Sequence, residues 1–120
     1  MEQLCVVLYQ NDPGTARNLA AGLSQHFENV YLSSTYEEVS GMVARYRAEA
    51  VVLDLESADP HEVERLHQEF PGLCIIGTHR LADDKLWAQA MSLGASDICE
   101  PKNADVVRSL LGKRSQTAAA

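Results

Sequence analysis

Positive charge gathers nowhere along this chain. Its ten Lys and Arg are scattered singly against seventeen Asp and Glu, apart from the step at Gly112-Lys113-Arg114, and the formal net charge is -7. With no clustered cations to neutralise a phosphate backbone, direct binding of nucleic acid by this domain is not expected. Long apolar runs are missing as well. None approaches the roughly 20 residues that a membrane span needs, and Glu2 follows Met1 where a signal peptide would carry positive charge. The expected location is the cytoplasm, with no membrane association. The three cysteines, Cys5, Cys74 and Cys99, are odd in number and show no C-x-x-C spacing. All lie in apolar stretches, which fits reduced core thiols rather than a disulfide framework or a zinc site. No Gly- and Ser/Thr-rich phosphate loop follows the first apolar run, where "QNDPGTAR" places an acid instead. Acids repel phosphate, and this speaks against a flavodoxin-like site for flavin mononucleotide.

What is present is a regular alternation. The 120 residues amount to about one domain, and at this size roughly two-thirds of the unfolded surface can be buried. Five β-type runs stand out: "LCVVLY" from Leu4, "NVYLSS" from Asn29, "AVVLDL" from Ala50, "LCIIGT" from Leu73 and "SDICE" from Ser96. Helical spacing fills the gaps. Ala16, Leu19, Ala20, Leu23 and Phe27 form one apolar stripe, and Val39, Met42, Val43 and Tyr46 a second. Val63, Leu66 and Phe70 form a third, Leu86, Ala90 and Leu93 a fourth, and Val106, Val107, Leu110 and Leu111 a fifth. Asp59 and Asn103 are placed to cap helix starts, and Gly94 and Gly112 to end helices. Strands alternating with helices require crossover connections, hence an α/β, doubly wound parallel sheet covered on both faces. The domain is expected over residues 1–112, with 113–120 a tail or the start of a linker.

In such a sheet, ligands sit beyond the carboxyl ends of the strands. The residues there are few: Gln10, Asn11 and Asp12 after the first strand, Asp54 and Glu56 at the third, Thr78 and His79 after the fourth, and Glu100, Pro101 and Lys102 after the fifth. An Asp, a Thr and a Lys would converge. Trp87 and Met91 lie one helical turn apart, off the stripe of the fourth helix, and suggest a partly exposed apolar patch suited to a protein partner.

These residues carry a resemblance. "NDP" after the first strand, "AVVLDLE" around Asp54, "IIGT" ending at Thr78 and "AMSLGASDI" from Ala90 to Ile98 are similar, in order and spacing over nearly the whole chain, to the CheY-like receiver domains of bacterial response regulators. The resemblance implies a five-stranded flavodoxin-like sheet of order 2-1-3-4-5. It also implies two-component, phosphorelay signalling, with Asp54 as phosphoacceptor, Thr78 as the switch hydroxyl and Lys102 as a phosphate contact. Partners would be a histidine kinase and an output protein or domain, or a second copy of the chain in a homodimer.

The chain departs from the family pattern at the acids that help to hold magnesium. With Asp12-Pro13 aligned on the usual acid and proline, Gln10 and Asn11 occupy the two carboxylate positions. Magnesium binds through hard, charged oxygens, for which neutral amides are poor substitutes. The expectation is therefore no cofactor, or at most weak magnesium through Asp12 and Asp54, with Glu56 as a pocket-rim acid. Lys102 is displaced by one residue because Pro101 takes the family's Lys position. Ile98 stands where the family has an aromatic. His79 stands where a small residue is usual and, protonated, would supply a cation at the pocket rim. The function expected is that of an atypical receiver, a non-enzymatic binding module acting through protein contacts. The alternative is a conventional receiver phosphorylated on Asp54.

Overall fold

The computed structural model describes the backbone of residues 2–102 and 104–119, and the side chains of residues 4–102 and 104–112. In chain order the elements are β1 (Glu2–Tyr9), α1 (Pro13–Ser24), β2 (Phe27–Leu32), a 3-10 turn (Tyr36–Glu38), α2 (Val39–Tyr46), β3 (Ala50–Asp54), α3 (His61–Glu69), β4 (Cys74–Thr78), α4 (Asp84–Leu93), β5 (Asp97–Cys99) and α5 (Ala104–Ala119). All four ladders are parallel, and the sheet order is β2-β1-β3-β4-β5. This is the five-stranded, doubly wound α/β fold expected from the alternation of elements.

Strand periodicity divides the core in two. Val7, Tyr9, Val51, Leu53 and Ile75 face one way, against Val39 and Val43 of α2, Val63 and Leu66 of α3 and Ala90 of α4. Their neighbours Val6, Leu8, Val52 and Ile76 face the other way, against Leu19 and Leu23 of α1 and Val107 and Leu111 of α5. Successive side chains of a strand point to opposite faces, so a run such as Val6-Val7-Leu8 is apolar throughout because both faces are covered. Each fully buried Leu or Val contributes roughly 1.5–3 kcal/mol.

Local chemistry fixes the helix ends. The Asp12 carboxylate accepts from the Thr15 backbone N–H at 2.9 Å, and Pro13 opens α1. Asp83 caps α4 in the same way through the Leu86 N–H at 2.8 Å. Gly94 ends α4 with φ 117, a left-handed conformation that glycine adopts without strain, and a Cβ there would lie 2.6 Å from His67 Cγ. Within α1, Gly22 lets α5 approach closely, since a Cβ on it would lie 2.6 Å from that of Ala104.

Several expectations are corrected. Phe27 does not continue the stripe of the first helix, because α1 stops at Ser24; it opens β2 and is buried against the α1/α5 side of the sheet. The second strand ends at Leu32 rather than in the Ser33-Ser34 pair, where Ser33 instead bonds the carbonyl of Thr35. Gly112 does not end α5, which runs on to Ala119. Val106 is exposed, so the buried stripe of α5 rests on Val107 and Leu111. Pro60 occupies the cap position of α3, while Asp59 accepts from the His61 N–H one residue earlier. Asn103, expected to cap the fifth helix, lies outside the described residues.

Candidate functional site

Three strand ends meet at one edge of the sheet. Tyr9 faces Leu53 across the β1–β3 ladder, so Gln10 leaves β1 level with Asp54. Asp54 in turn faces Thr78 across the β3–β4 ladder. Because β1 and β4 flank β3 on opposite sides, Gln10 meets Thr78 only by crossing the end of β3. Its Nε2 donates to Thr78 Oγ1 at 2.6 Å, and both residues are buried. The Thr78 hydroxyl donates onward to the Leu53 carbonyl over 3.5 Å.

Asp54 lies beside this bridge with only 6% of its surface exposed. Its Oδ2 accepts from the Asn11 backbone N–H at 3.0 Å and from the Ser57 hydroxyl at 3.0 Å, and its Oδ1 accepts from the Glu56 N–H at 2.9 Å. Tyr9, buried at the end of β1, places its hydroxyl 3.3 Å from Ser57 Oγ. A carboxylate is expensive to bury unless its oxygens receive hydrogen bonds, and here three donors supply them. Backbone and hydroxyl dipoles thus hold the charge of Asp54.

The rim is tied together separately. Arg80 Nε donates to Glu56 Oε1 at 2.9 Å and Oε2 at 3.1 Å, and the Arg80 N–H also reaches Oε2 at 3.3 Å, so the loop after β3 is strapped to the loop after β4. Asp12 is spent on its helix: the Thr15 N–H and the Thr15 hydroxyl, at 2.8 Å, hold its carboxyl below the usual carboxylate range, with Arg17 and Arg80 adding smaller effects. His79 Nδ1 accepts from the Leu81 N–H at 2.9 Å. The ring of His79 thus serves its own loop. Lys102 is exposed, with its ammonium 3.7 Å from Glu100 Oε2, while Pro101 takes the buried position before it. The structure does not bring Lys102 together with Asp54.

Of the candidate residues, then, Gln10, Thr78 and Asp54 form one buried group, to which Asn11 contributes its backbone N–H. Glu56 stands on the rim, and Asp12, His79 and Lys102 are engaged elsewhere. Among the described residues no three His, Cys, Asp or Glu side chains gather as a metal-binding group. Ile98 packs partly buried against the core. Trp87 is 47% exposed on α4, whereas Met91 packs partly against the core. Sequence reasoning missed Ser57, Tyr9 and Arg80. Ser57 stands three residues after the acid, at a spacing that a turn folds back, and Arg80 is a lone cation two residues after Thr78.

The same architecture recurs in solved structures. A signal receiver domain of a putative Luxo repressor protein from Vibrio parahaemolyticus superposes with a TM-score of 0.86 at 17% identity, covering 98% of this chain and 93% of that one. A two-component response regulator from Clostridium difficile gives 0.86 at 13% identity, covering 98% and 100%. An atypical orphan response regulator, described as having a phosphorylation-independent regulatory mechanism, gives 0.83 at 12% identity, covering 94% and 96%. No protein-family profile matches the chain, and no curated protein does either. The fold is that of the CheY-like receiver domains.

Proposed function

We propose that this chain is a receiver-type module of two-component signalling, working in the cytoplasm through protein contacts, whose acceptor pocket is held shut by its own hydrogen bonds. The observation that carries this reading is the buried 2.6 Å bond from Gln10 to Thr78 beside an Asp54 that already accepts three hydrogen bonds. In a receiver that works by phosphoryl transfer, the acceptor carboxylate attacks the phosphorus, a divalent cation offsets the gathering charge, and the switch hydroxyl is free to meet the new phosphoryl oxygens. Here the acceptor oxygens are occupied by three donors, and the hydroxyl is taken by an amide.

The donor set also fits magnesium poorly. That ion needs near-octahedral oxygen ligands with carboxylates among them, yet Asp12 caps α1, Glu56 is paired with Arg80, and the remaining positions are the neutral Gln10 and Asn11. The reading is therefore of a binding module without a resident metal and without catalysis, whose partner is a kinase or an output protein. The atypical regulator of the same fold offers a precedent for signalling of this kind. One observation favours the conventional alternative: Asp54 and Thr78 are direct cross-strand partners, as an acceptor and its switch hydroxyl should be.

The two readings separate when the purified chain is incubated with acetyl phosphate and magnesium and its intact mass is followed. Little phosphoryl mass is expected on the wild type. The double variant Gln10→Asp with Asn11→Asp, which restores two carboxylates and removes the amide from Thr78, is expected to bind magnesium and to gain the label. Rapid stoichiometric labelling of the wild type, abolished by Asp54→Asn, would overturn the proposal.

A further inference from the structure

A second region of the molecule is built to meet something outside it. An open groove of about 500 Å³ runs between α2 and the end of β2, lined by Leu32, Glu38, Gly41, Met42, Arg45 and Tyr46. β2 is an edge strand, and Leu32 at its end is 44% exposed. The floor is stiff. Tyr31 and Tyr46 stack with ring centroids 3.9 Å apart and planes 7° from parallel, and the Arg45 guanidinium lies 5.4 Å from the Tyr46 centroid.

Gly41 stands in the middle of this face. Glycine inside a helix is destabilising relative to alanine, so its presence calls for a compensating reason. Gly22 has one within the chain, in the close approach of Ala104. Gly41 has none, because a Cβ built on it meets no atom within 4 Å. A bare backbone position is useful where another backbone comes close, and none stands there among the described residues.

The charges beside Gly41 indicate what it belongs to. Glu38, at the cap position of α2, and Arg45, within it, stand seven residues apart, about 10 Å along the axis at helical rise, too far to pair with each other. Neither takes part in an ion pair among the described residues. They lie almost symmetrically about Gly41. If a second α2 runs antiparallel across this point, Glu38 of each copy meets Arg45 of the other, and the two-fold axis passes near Gly41. A closed dimer requires such a self-complementary patch, and Leu32 and Met42 supply apolar contact beside the charges.

We propose that this face is a homodimer interface in which two copies pack α2 antiparallel, crossing at Gly41, with Glu38 and Arg45 paired reciprocally. A contact of one helix and one strand end per copy is small, so the dimer is weak and reversible and depends on concentration. The inference does not rest on the state of Asp54, and the labelling experiment above neither supports nor damages it.

Sedimentation equilibrium tests it. The wild type is expected to show a reversible monomer–dimer equilibrium. Glu38→Arg alone and Arg45→Glu alone each face like with like across the axis, and each should lose about tenfold or more in association. An equimolar mixture of the two should regain it as a heterodimer, since every cross-pair is then of opposite sign. Gly41→Leu should abolish association while raising Tm, because leucine favours the helix and a Cβ there meets no atom within 4 Å among the described residues, and it carries the test should a charge variant fold poorly. A wild type that stays monomeric at millimolar concentration would overturn the proposal. So would a dimer indifferent to these changes, or a mixture that remains monomeric.

Discussion

The pocket at Asp54 and the groove at α2 treat polar groups in opposite ways. In the pocket each group named above finds its partner inside the chain: Gln10 meets Thr78, and Asp54 takes donors from Asn11, Glu56 and Ser57. Along α2 and its cap, Glu38 and Arg45 form no ion pair among the described residues, and Gly41 forgoes a side chain that has room to exist. A region that satisfies itself gains rigidity but gives up reactivity, because a ligand must first break bonds already made. A region whose charges are not ion-paired within the chain keeps them for association. In this chain the pocket at Asp54 reads as structure, and in the dimer proposed above a face of α2 is the place of contact.

The comparison is broken most directly at the Gln10–Thr78 bond. Thr78→Val leaves a buried amide without its acceptor and should cost about 1–3 kcal/mol, whereas the double variant Gln10→Leu with Thr78→Val should recover much of that loss, since removing both partners of a buried bond is often nearly neutral. Urea unfolding of the four proteins gives the coupling through a double-mutant cycle. Simple additivity would mean that the bond closes nothing.

A smaller and oppositely signed pair of effects comes from two glycines. Gly41→Ala should stabilise the chain by about 1 kcal/mol through helix propensity, with no steric penalty. Gly22→Ala should lose about 1–3 kcal/mol to overpacking against Ala104, partly offset by the same gain in propensity. Thermal unfolding should move the two variants in opposite directions. Matching shifts would remove the distinction between an internal and an external reason for glycine.

The smallest effect is expected at the start of α3, which belongs to neither region and serves as the exposed baseline. His61 Nδ1 lies 2.9 Å from Asp59 Oδ1, and that hydrogen bond raises the histidine pKa above its ordinary 6.5 while Asp59 is held low, chiefly by the His61 N–H. A folded-state pKa raised in this way adds stability that is fully present below pH 6.5 and is lost as pH rises through the raised value. Both groups are exposed, so the stability change should be slight. NMR titration should show the His61 pKa falling towards its ordinary value in Asp59→Asn, and an unchanged titration would deny the contact.

The fold was largely legible from the chain. The runs around Val6, Val52 and Ile76, the spacing of Leu19 and Leu23 and of Val63 and Leu66, and the helix end at Gly94 are local signals, and each marks its element. Boundaries failed where a local signal was ambiguous. Phe27 fits helical spacing but is claimed by the sheet, and Gly112 has the composition of a helix end but lies within a helix that continues to Ala119. At the site, the positions of Asp54 and Thr78 and the replacement of acids by Gln10 and Asn11 could be read directly. The partners could not, because Ser57, Tyr9 and Arg80 reach the pocket from turns and strands whose meeting depends on register.

By itself the sequence determined which groups are available: neutral amides in place of carboxylates after the first strand, an acid ending the third and a hydroxyl ending the fourth. It also determined that strand and helix alternate, since periodicity and chain connectivity are local properties. Only the tertiary structure decided what those groups do. That Gln10 spans the end of β3 to hold Thr78, that Asp12 turns to its helix, and that Glu56 is claimed by Arg80 follow from strand order and register, which place residues distant in the chain within hydrogen-bonding distance. A hydrogen bond acts over about 3 Å, and no pattern along the chain conveys a separation of that size between residues 68 positions apart.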